Sequence, residues 1–487
     1  MNFFKKYGLI IGFIALLIVL SLPTPAGLPV AGKMMLAILV FSVVVWMSDC
    51  VTYPVSAAIV IALMAFLLGT APSMANPKVV LGTAKGLDMA LAGFSTGAFA
   101  LVGGALFIAA AMMFTGLDKR IALFVLSLIG ARTNRILMGV IAVGFLLSFI
   151  IPSTTARVSC LVPIVMGIIV ALDVPLKSRF AGVMMIATAQ ADSIWNVGIK
   201  TAAAQNMIAV QFIKQQLGVD ISWGYWFMAA APFAVLMSIA LYYVLMKLMP
   251  PEIEEVPGGK ETIAKALADL GSMKPAEKKL LATSLILLCF WATEGKFHPF
   301  DTSTTTLTAI AYMLLPGIGV ISWKDAQSRI PWGTLILFGV GISLGSALLA
   351  TKSAAWLASA IVTMFSLQTA PALAILAVLA AFLIIVHLGF ASATALASAM
   401  IPIIISVLQS VQTPGINIMG MTMILQYVVS FGFILPVNAP QNMVAYSTDT
   451  FEVKDFIKIG IPLTIIAYLI IVLLGATYWQ WFGIMTQ

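Results

Sequence analysis

Twice in this chain a short run of hydroxyl residues interrupts a long apolar segment, and twice a Gln-Asn pair follows. The first copy reads Ser153-Thr154-Thr155, with Pro163 ten residues after the serine and Gln205-Asn206 further on. The second reads Ser392-Ala393-Thr394, with Pro402 again ten residues after the serine and Gln441-Asn442 further on. Serine and glutamine stand 52 residues apart in one copy and 49 in the other. Hydroxyls and amides donate and accept hydrogen bonds without carrying charge, which suits them to holding a small polar ligand. Polar interruptions at matching positions in two halves of an apolar chain are the pattern of a transporter's central site.

Three basic residues lie close to these motifs. Arg157 is two residues beyond Thr155, Lys200 lies just before the first Gln-Asn pair, and His387 is five residues before Ser392. Ionisable groups at membrane depth are costly and by default belong to a functional site, so their expected role is to neutralise an anionic ligand. Each also has a structural reading. Arg157 can pair with Asp192, the one acid in the neighbouring span; Lys200 can extend toward the outer surface; His387 can be a neutral, hydrogen-bonded residue of the bundle. The hydroxyls can simply cap their own half-helices, and the amides can tie unwound backbone together.

The elements that must position these residues are membrane helices. The chain is 61% hydrophobic and 9% charged, with a mean hydropathy of +1.09, whereas a soluble domain carries about 25% charge. Apolar windows long enough to span a bilayer recur throughout, without barrel-type alternation, so the fold class is an all-α polytopic membrane protein. Eleven spans are expected, near residues 8–24, 33–49, 52–70, 92–117, 180–212, 224–248, 280–296, 304–321, 331–350, 415–446 and 457–482. Two further apolar pairs, 135–173 and 368–410, bend at the Ser-Thr clusters and read as re-entrant hairpins. With the amino terminus inside, this assignment puts eighteen loop Lys and Arg residues on the inner side. Only Lys33, Lys78, Lys85, Lys214, Lys296 and Lys352 fall outside. That is a strong positive-inside bias, and counting either hairpin as two crossings would invert everything after it. The reading is a multi-pass protein of the cell (inner or plasma) membrane, with a cytoplasmic amino terminus and an outer carboxyl terminus.

The net charge of +8 is thereby explained by inner loops, and a nucleic-acid partner is not expected. Gly8 to Leu22, preceded by Lys5 and Lys6, has the look of a secretory signal, but no small-residue cleavage motif follows and it reads as the first span. Segments 119–130 and 354–366 are too short to span and read as helices along the interface. Residues 71–91 read as a polar outer loop. Cys50, Cys160 and Cys289 offer neither metal-ligand spacing nor a disulfide framework, and two histidines make a metal cofactor improbable. No paired carboxylates or Cys-His pair lie in the spans, so an enzyme is not expected.

Leu101-Val102-Gly103-Gly104 recurs as Leu337-Phe338-Gly339-Val340-Gly341, each leading to an interfacial segment and a hairpin. The expected organisation is a first helix over 1–32, a repeat over 33–249, a cytoplasmic linker over 250–279 and a second repeat over 280–487. An odd number of spans separates the hairpins, which makes the repeat inverted. A helix broken inside a membrane must bury its freed N–H groups in protein or turn them to a wet cavity. Half-helix N-termini at the two tips then make two facing cradles for an anion with two carboxylates.

The paired tips, the prolines ten residues after them and Leu435-Pro436-Val437-Asn438-Ala439-Pro440-Gln441-Asn442 resemble the divalent anion/sodium symporter family, carriers of succinate, malate, fumarate, citrate and related anions. The resemblance covers nearly the whole chain. It implies a homodimer working as an elevator, in which spans 1–4 and 7–9 stay fixed while the hairpins and remaining spans slide. It also implies that Ser153, Thr154, Thr155, Ser392, Ala393 and Thr394 contact substrate carboxylate and sodium. Sodium-coupled members carry Ser-Asn-Thr at both tips. Here Thr154 and Ala393 replace the central Asn, which puts sodium as a cofactor in doubt, and Arg157 after the motif is similar to the exchanger branch. The expectation is sodium-independent exchange of succinate, malate, fumarate or 2-oxoglutarate, balanced by Arg157 with His387 or Lys200. A sodium-coupled dicarboxylate symporter and an anion channel are the alternatives, and tartrate, citrate or sulfate would satisfy similar donors.

Overall fold

A computed structural model of the chain describes residues 3–74, 76–129, 132–171, 173–254 and 259–486. All regular structure among them is helical. The first part runs α1 (Phe3–Ser21), α2 (Val30–Ser48), α3 (Tyr53–Leu63) with a π-helical continuation over Met64–Leu68, then α4 (Thr83–Leu91) and α5 (Gly97–Thr115). Next come the short α6 (Leu117–Ile129), a hairpin of α7 (Thr133–Ile150) and α8 (Thr154–Ala171), and a broken helix of α9 (Arg179–Gly198) and α10 (Ala204–Leu217). The long α11 (Trp223–Leu248) closes this half.

After α12 (Gly259–Ala268) follow α13 (Pro275–Thr293), α14 (Thr302–Met313), the one-turn α15 (Trp323–Gln327) and α16 (Trp332–Ala350). The order short helix, hairpin, broken helix, long helix then repeats. It comprises α17 (Ser353–Met364), α18 (Ala372–His387) with α19 (Ala393–Ser410), α20 (Ile418–Val429) with α21 (Pro440–Tyr446), and α22 (Val453–Ala476) before the terminal turn α23 (Tyr478–Trp481).

Among the described residues, seven helices are both long and apolar enough to cross a bilayer unaided. The expectation of eleven spans counts segments that the fold interrupts. Span 180–212 breaks after Gly198, and span 415–446 breaks around Pro436 and Pro440, each with a short 3-10 turn in the gap. Segment 304–321 is helical only to Met313 before a turn at Pro316 and Gly317. The polar stretch 71–91 is not all loop, since α4 forms within it and packs on the π-helical turn. Gly86 permits this contact, because a side chain there would run into the Ala65 carbonyl.

The hairpins have clear local causes. Pro152 ends α7, and Ser153 Oγ accepts the Ala156 N–H to start α8. Ser392 Oγ likewise accepts the Ala395 N–H to start α19. The half-helices therefore begin at Thr154 and Ala393, within the tip motifs themselves. The second hairpin leans on α16, where glycine is needed. A Cβ at Gly341 would overlap Ser398 Oγ, and one at Gly345 would overlap the ring of Phe212 and crowd Pro402.

The linker is held down rather than free. Arg120 on α6 pairs with Glu277 and donates to the carbonyls of Leu270, Gly271 and Ser272, while Glu252 accepts the N–H groups of Arg179 and Phe180 at the start of α9. Residues 255–258 within the linker lie outside the described residues.

Candidate functional site

Both hairpin tips and both glutamines open on one cavity of about 620 Å³. Its floor holds Ser153, Thr154, Thr155, Ser392, Ala393, Thr394, Gln205 and Gln441, together with Asn196 and Ser159. Its mouth is rimmed by the exposed residues Asp49, Thr52, Arg329 and Pro331. These rim residues sit on the side of the amino terminus, where Lys5 pairs with Asp49 at 2.8 Å. Asp49 and Arg329 are the charged residues in the lining.

The positive field at the floor comes from backbone. The helices α8, α10 and α19, of 18, 14 and 18 residues, all begin at the cavity. Each N-terminus carries roughly +0.5 of an elementary charge, partly offset by the C-terminal end of α9, which reaches the same wall through Asn196. Beside them the Thr155 and Thr394 hydroxyls have no hydrogen-bond partner among the described residues, which leaves them available to a ligand.

The two members of each Gln-Asn pair do different jobs. Gln205 Nε2 reaches Ser430 Oγ at 3.3 Å and Gln441 Nε2 reaches Ser193 Oγ at 3.1 Å, so each glutamine bonds across to the broken helix of the other half. Asn206 and Asn442 were expected among the binding residues, but both are fully buried and absent from the cavity wall. Asn206 Nδ2 donates to the Asn196 carbonyl at 2.6 Å, and Asn442 Nδ2 to the Gly432 carbonyl at 2.7 Å. They tie the unwound backbone, because a carbonyl freed by a helix break has no water to turn to.

The three basic residues are not at the cavity, and their expected charge-neutralising role is corrected by geometry. Arg157 is fully buried and spends its donors within the protein. Nε bonds Asp192 Oδ1 at 2.7 Å, Nη1 bonds the carbonyls of Ile151 and Ala202 at 2.7 and 3.1 Å, and Nη2 bonds Asn196 Oδ1 at 2.8 Å. The alternative reading of a buried pair with Asp192 is the one the structure has. Lys200 Nζ donates to the Ile221 carbonyl at 2.6 Å and lies 3.7 Å from Glu294. His387 Nε2 faces the Asn438 carbonyl at 3.4 Å.

A register match links two of these contacts. Ala202 stands three residues before Gln205, and Asn438 three before Gln441. In both halves a basic side chain therefore bonds the same carbonyl of the helix break. The carbonyl two residues before each tip serine is also taken, Ile151 by Arg157 and Phe390 by Asn438 Nδ2 at 3.1 Å. Asn196, which sequence reasoning passed over, lies in the cavity wall and accepts from both Thr154 and Arg157. The available signal was an amide two residues before the Gly198 break.

The model of the sodium:sulfate symporter transmembrane region matches residues 4–485 of this sequence. The chain belongs to the sodium:sulfate symporter family. This is the membership that the tip motifs implied, and the family is one of transporters rather than enzymes. Among curated relatives in the family's range, a membrane protein of Cupriavidus necator is 55% identical, covering 98% of this chain and 93% of its own length. The inner membrane protein YbhI of Escherichia coli is 31% identical, covering 94% of each. The sodium-dependent dicarboxylate transporter SdcS of Staphylococcus saprophyticus is 26% identical, covering 97% of this chain and 91% of that one. The crystal structure of the YdaH transporter of Alcanivorax borkumensis aligns with a TM-score of 0.50 at 15% identity, over 88% of this chain and 97% of that one. That last likeness is one of fold.

Proposed function

We propose that this member of the sodium:sulfate symporter family carries dicarboxylates across the membrane by exchange, without sodium. The observation that supports the reading is the pair of hairpin tips meeting at one cavity whose positive field comes from helix N-termini and whose free groups are hydroxyls. An anion with carboxylates at both ends suits two such tips facing each other. The SdcS relatives are named as dicarboxylate transporters, which favours carboxylates over sulfate.

Sodium independence rests on the carbonyls. A broken membrane helix offers oxygen ligands to a cation at its gap. Here the Ile151, Ala202, Phe390 and Asn438 carbonyls already accept from Arg157, Asn438 and His387. Thr154 and Ala393 also lack the amide oxygen that sodium-coupled relatives present at the tips. A sodium ion would have to displace fixed donors on both sides. The exchange character follows from the same fixed field: helix N-termini cannot leave with the substrate, so an empty site crosses less readily than an occupied one.

With the amino terminus in the cytoplasm, the mouth at Asp49 and Arg329 faces inward. The hairpins, the broken helices and the long helices α11 and α22 then slide as an elevator against a scaffold of α1–α5 and α13–α16, within a homodimer. The test is counterflow in proteoliposomes with labelled succinate, malate and citrate, in sodium and in choline. Uptake should require internal substrate and be equal in the two salts. Strict sodium dependence overturns the exchange reading and favours symport. Flux that is indifferent to internal substrate favours a channel.

A further inference from the structure

Asn196 sits in the last turn of α9, is 2% exposed, and lines the cavity. Its Oδ1 accepts from Arg157 Nη2 at 2.8 Å and from Thr154 Oγ1 at 2.5 Å. A guanidinium only donates, so the atom turned toward Arg157 has to be the oxygen. The amide nitrogen must then point the other way. Among the described residues Nδ2 has no hydrogen-bond partner, and it is not one of the atoms sealed from solvent. It opens on the cavity.

The other amides around the site each already spend at least one N–H. Asn206 and Asn442 spend their nitrogens on backbone carbonyls. Gln441 Nε2 is held by Ser193, whose own hydroxyl hydrogen goes to the Ala189 carbonyl, so that bond has a fixed direction. Gln205 Nε2 bonds Ser430. Gln205 and Gln441 thus keep one N–H each, whereas Asn196 brings to the cavity wall an amide nitrogen with both N–H groups uncommitted among the described residues.

We propose that Asn196 is a substrate-binding residue that donates to one carboxylate of the carried anion, and that Arg157 is the positioning residue that fixes which way its amide faces. The inference rests on the dicarboxylate reading above and deepens it. It also makes the site lopsided. The carbonyl bonded by Asn442 in the second half belongs to Gly432, where the first half has Asn196, and Ala393 replaces Thr154. One carboxylate meets an additional oriented donor, and the opposite end meets the second tip without it.

The experiment uses the purified full chain, with binding of succinate, citrate and sulfate read from the shift in melting temperature. Wild type should be stabilised by at least one of these anions. Asn196→Ser should weaken that anion about tenfold and Asn196→Asp about a hundredfold or more, the range for a hydrogen bond to a charged group. The ligand-free melting temperature of the serine variant shows that it is folded, and it decides the matter should the aspartate variant not fold. Arg157→Gln, which can accept as well as donate, frees the amide to turn over. Combined with Asp192→Asn, so that no buried charge is left alone, it should in counterflow raise KM about tenfold with little change in turnover, and Arg157→Lys with Asp192 kept should restore most of the affinity. Wild-type affinity in a folded Asn196→Ser protein overturns the inference and leaves the dicarboxylate reading standing. Failure of all three anions to stabilise wild type overturns both.

Discussion

At the scale of single residues, the surprise is how little formal charge the site holds. Arg157 was expected to face an anion and instead faces Asp192, both fully buried. Removing one partner of such a pair leaves the other charged, desolvated and alone, at a cost of about 3–5 kcal/mol, whereas replacing both is often close to neutral. Arg157→Ala should therefore yield much less folded protein, and Arg157→Ala with Asp192→Ala should recover a substantial part of it. The yield of monodisperse protein and its melting temperature check this, and equal losses in single and double variants would count against it. The hydroxyl tips and the glutamines were legible in the sequence because duplication marks them. Asn196 was not, since its counterpart is Gly432 and a lone amide in an apolar helix carries no such mark. Arg157 was legible only as a choice between two partners, because sequence spacing does not reveal which way a buried guanidinium turns.

At the scale of elements, the hairpins were readable because Pro152 and the Ser-Thr runs break long apolar stretches at places where a lipid-facing break would strand backbone N–H groups. The π-helical turn Met64–Leu68 and the helix α4 beside it were not. Their formation depends on a contact through Gly86 that no local pattern announces. The close approach of α19 to α16 is a further case, and it is testable. Gly345→Val would press into Phe212 and Pro402, and overpacking of this kind costs about 1–3 kcal/mol. The variant should melt below wild type, and its counterflow rate should fall more than its substrate affinity, because a bulge on this face obstructs movement of the second hairpin past α16. Unchanged rate and melting would mean that the two helices separate more easily than their packing suggests.

At the scale of the whole molecule, the cavity opens at the end that carries Asp49 and Arg329, and away from its lining a small polar knot joins two groups of helices. Glu294, in the loop between α13 and α14, lies 3.7 Å from Lys200 and accepts from Trp223 N at 3.2 Å and from Thr302 Oγ1 at 2.8 Å. Lys200, in the first broken helix, and Trp223, at the start of α11, belong to the elements proposed to slide, and Glu294 and Thr302 to the proposed scaffold. If the proposed elevator operates, it has to undo this knot on each outward stroke. Glu294→Ala should shift the resting population outward. In right-side-out vesicles, with the native cysteines replaced by serine, a Thr155→Cys reporter should then label faster with an impermeant thiol reagent added outside. Unaltered labelling would mean that the knot is only local packing.

The roomy interior carries one more consequence. At about 620 Å³, where a single water needs on the order of 10–15 Å³ of such space, the chamber has room for many waters at once. On the dicarboxylate reading proposed above, a four-carbon diacid entering at the Asp49 and Arg329 mouth would be surrounded mostly by liquid, and little separated by shape from a six-carbon one. Size selection must then happen later in the cycle, when the walls draw in and solvent is squeezed out. On that basis, cargo preference should show up more in how fast a loaded carrier completes its stroke than in how tightly it first takes hold.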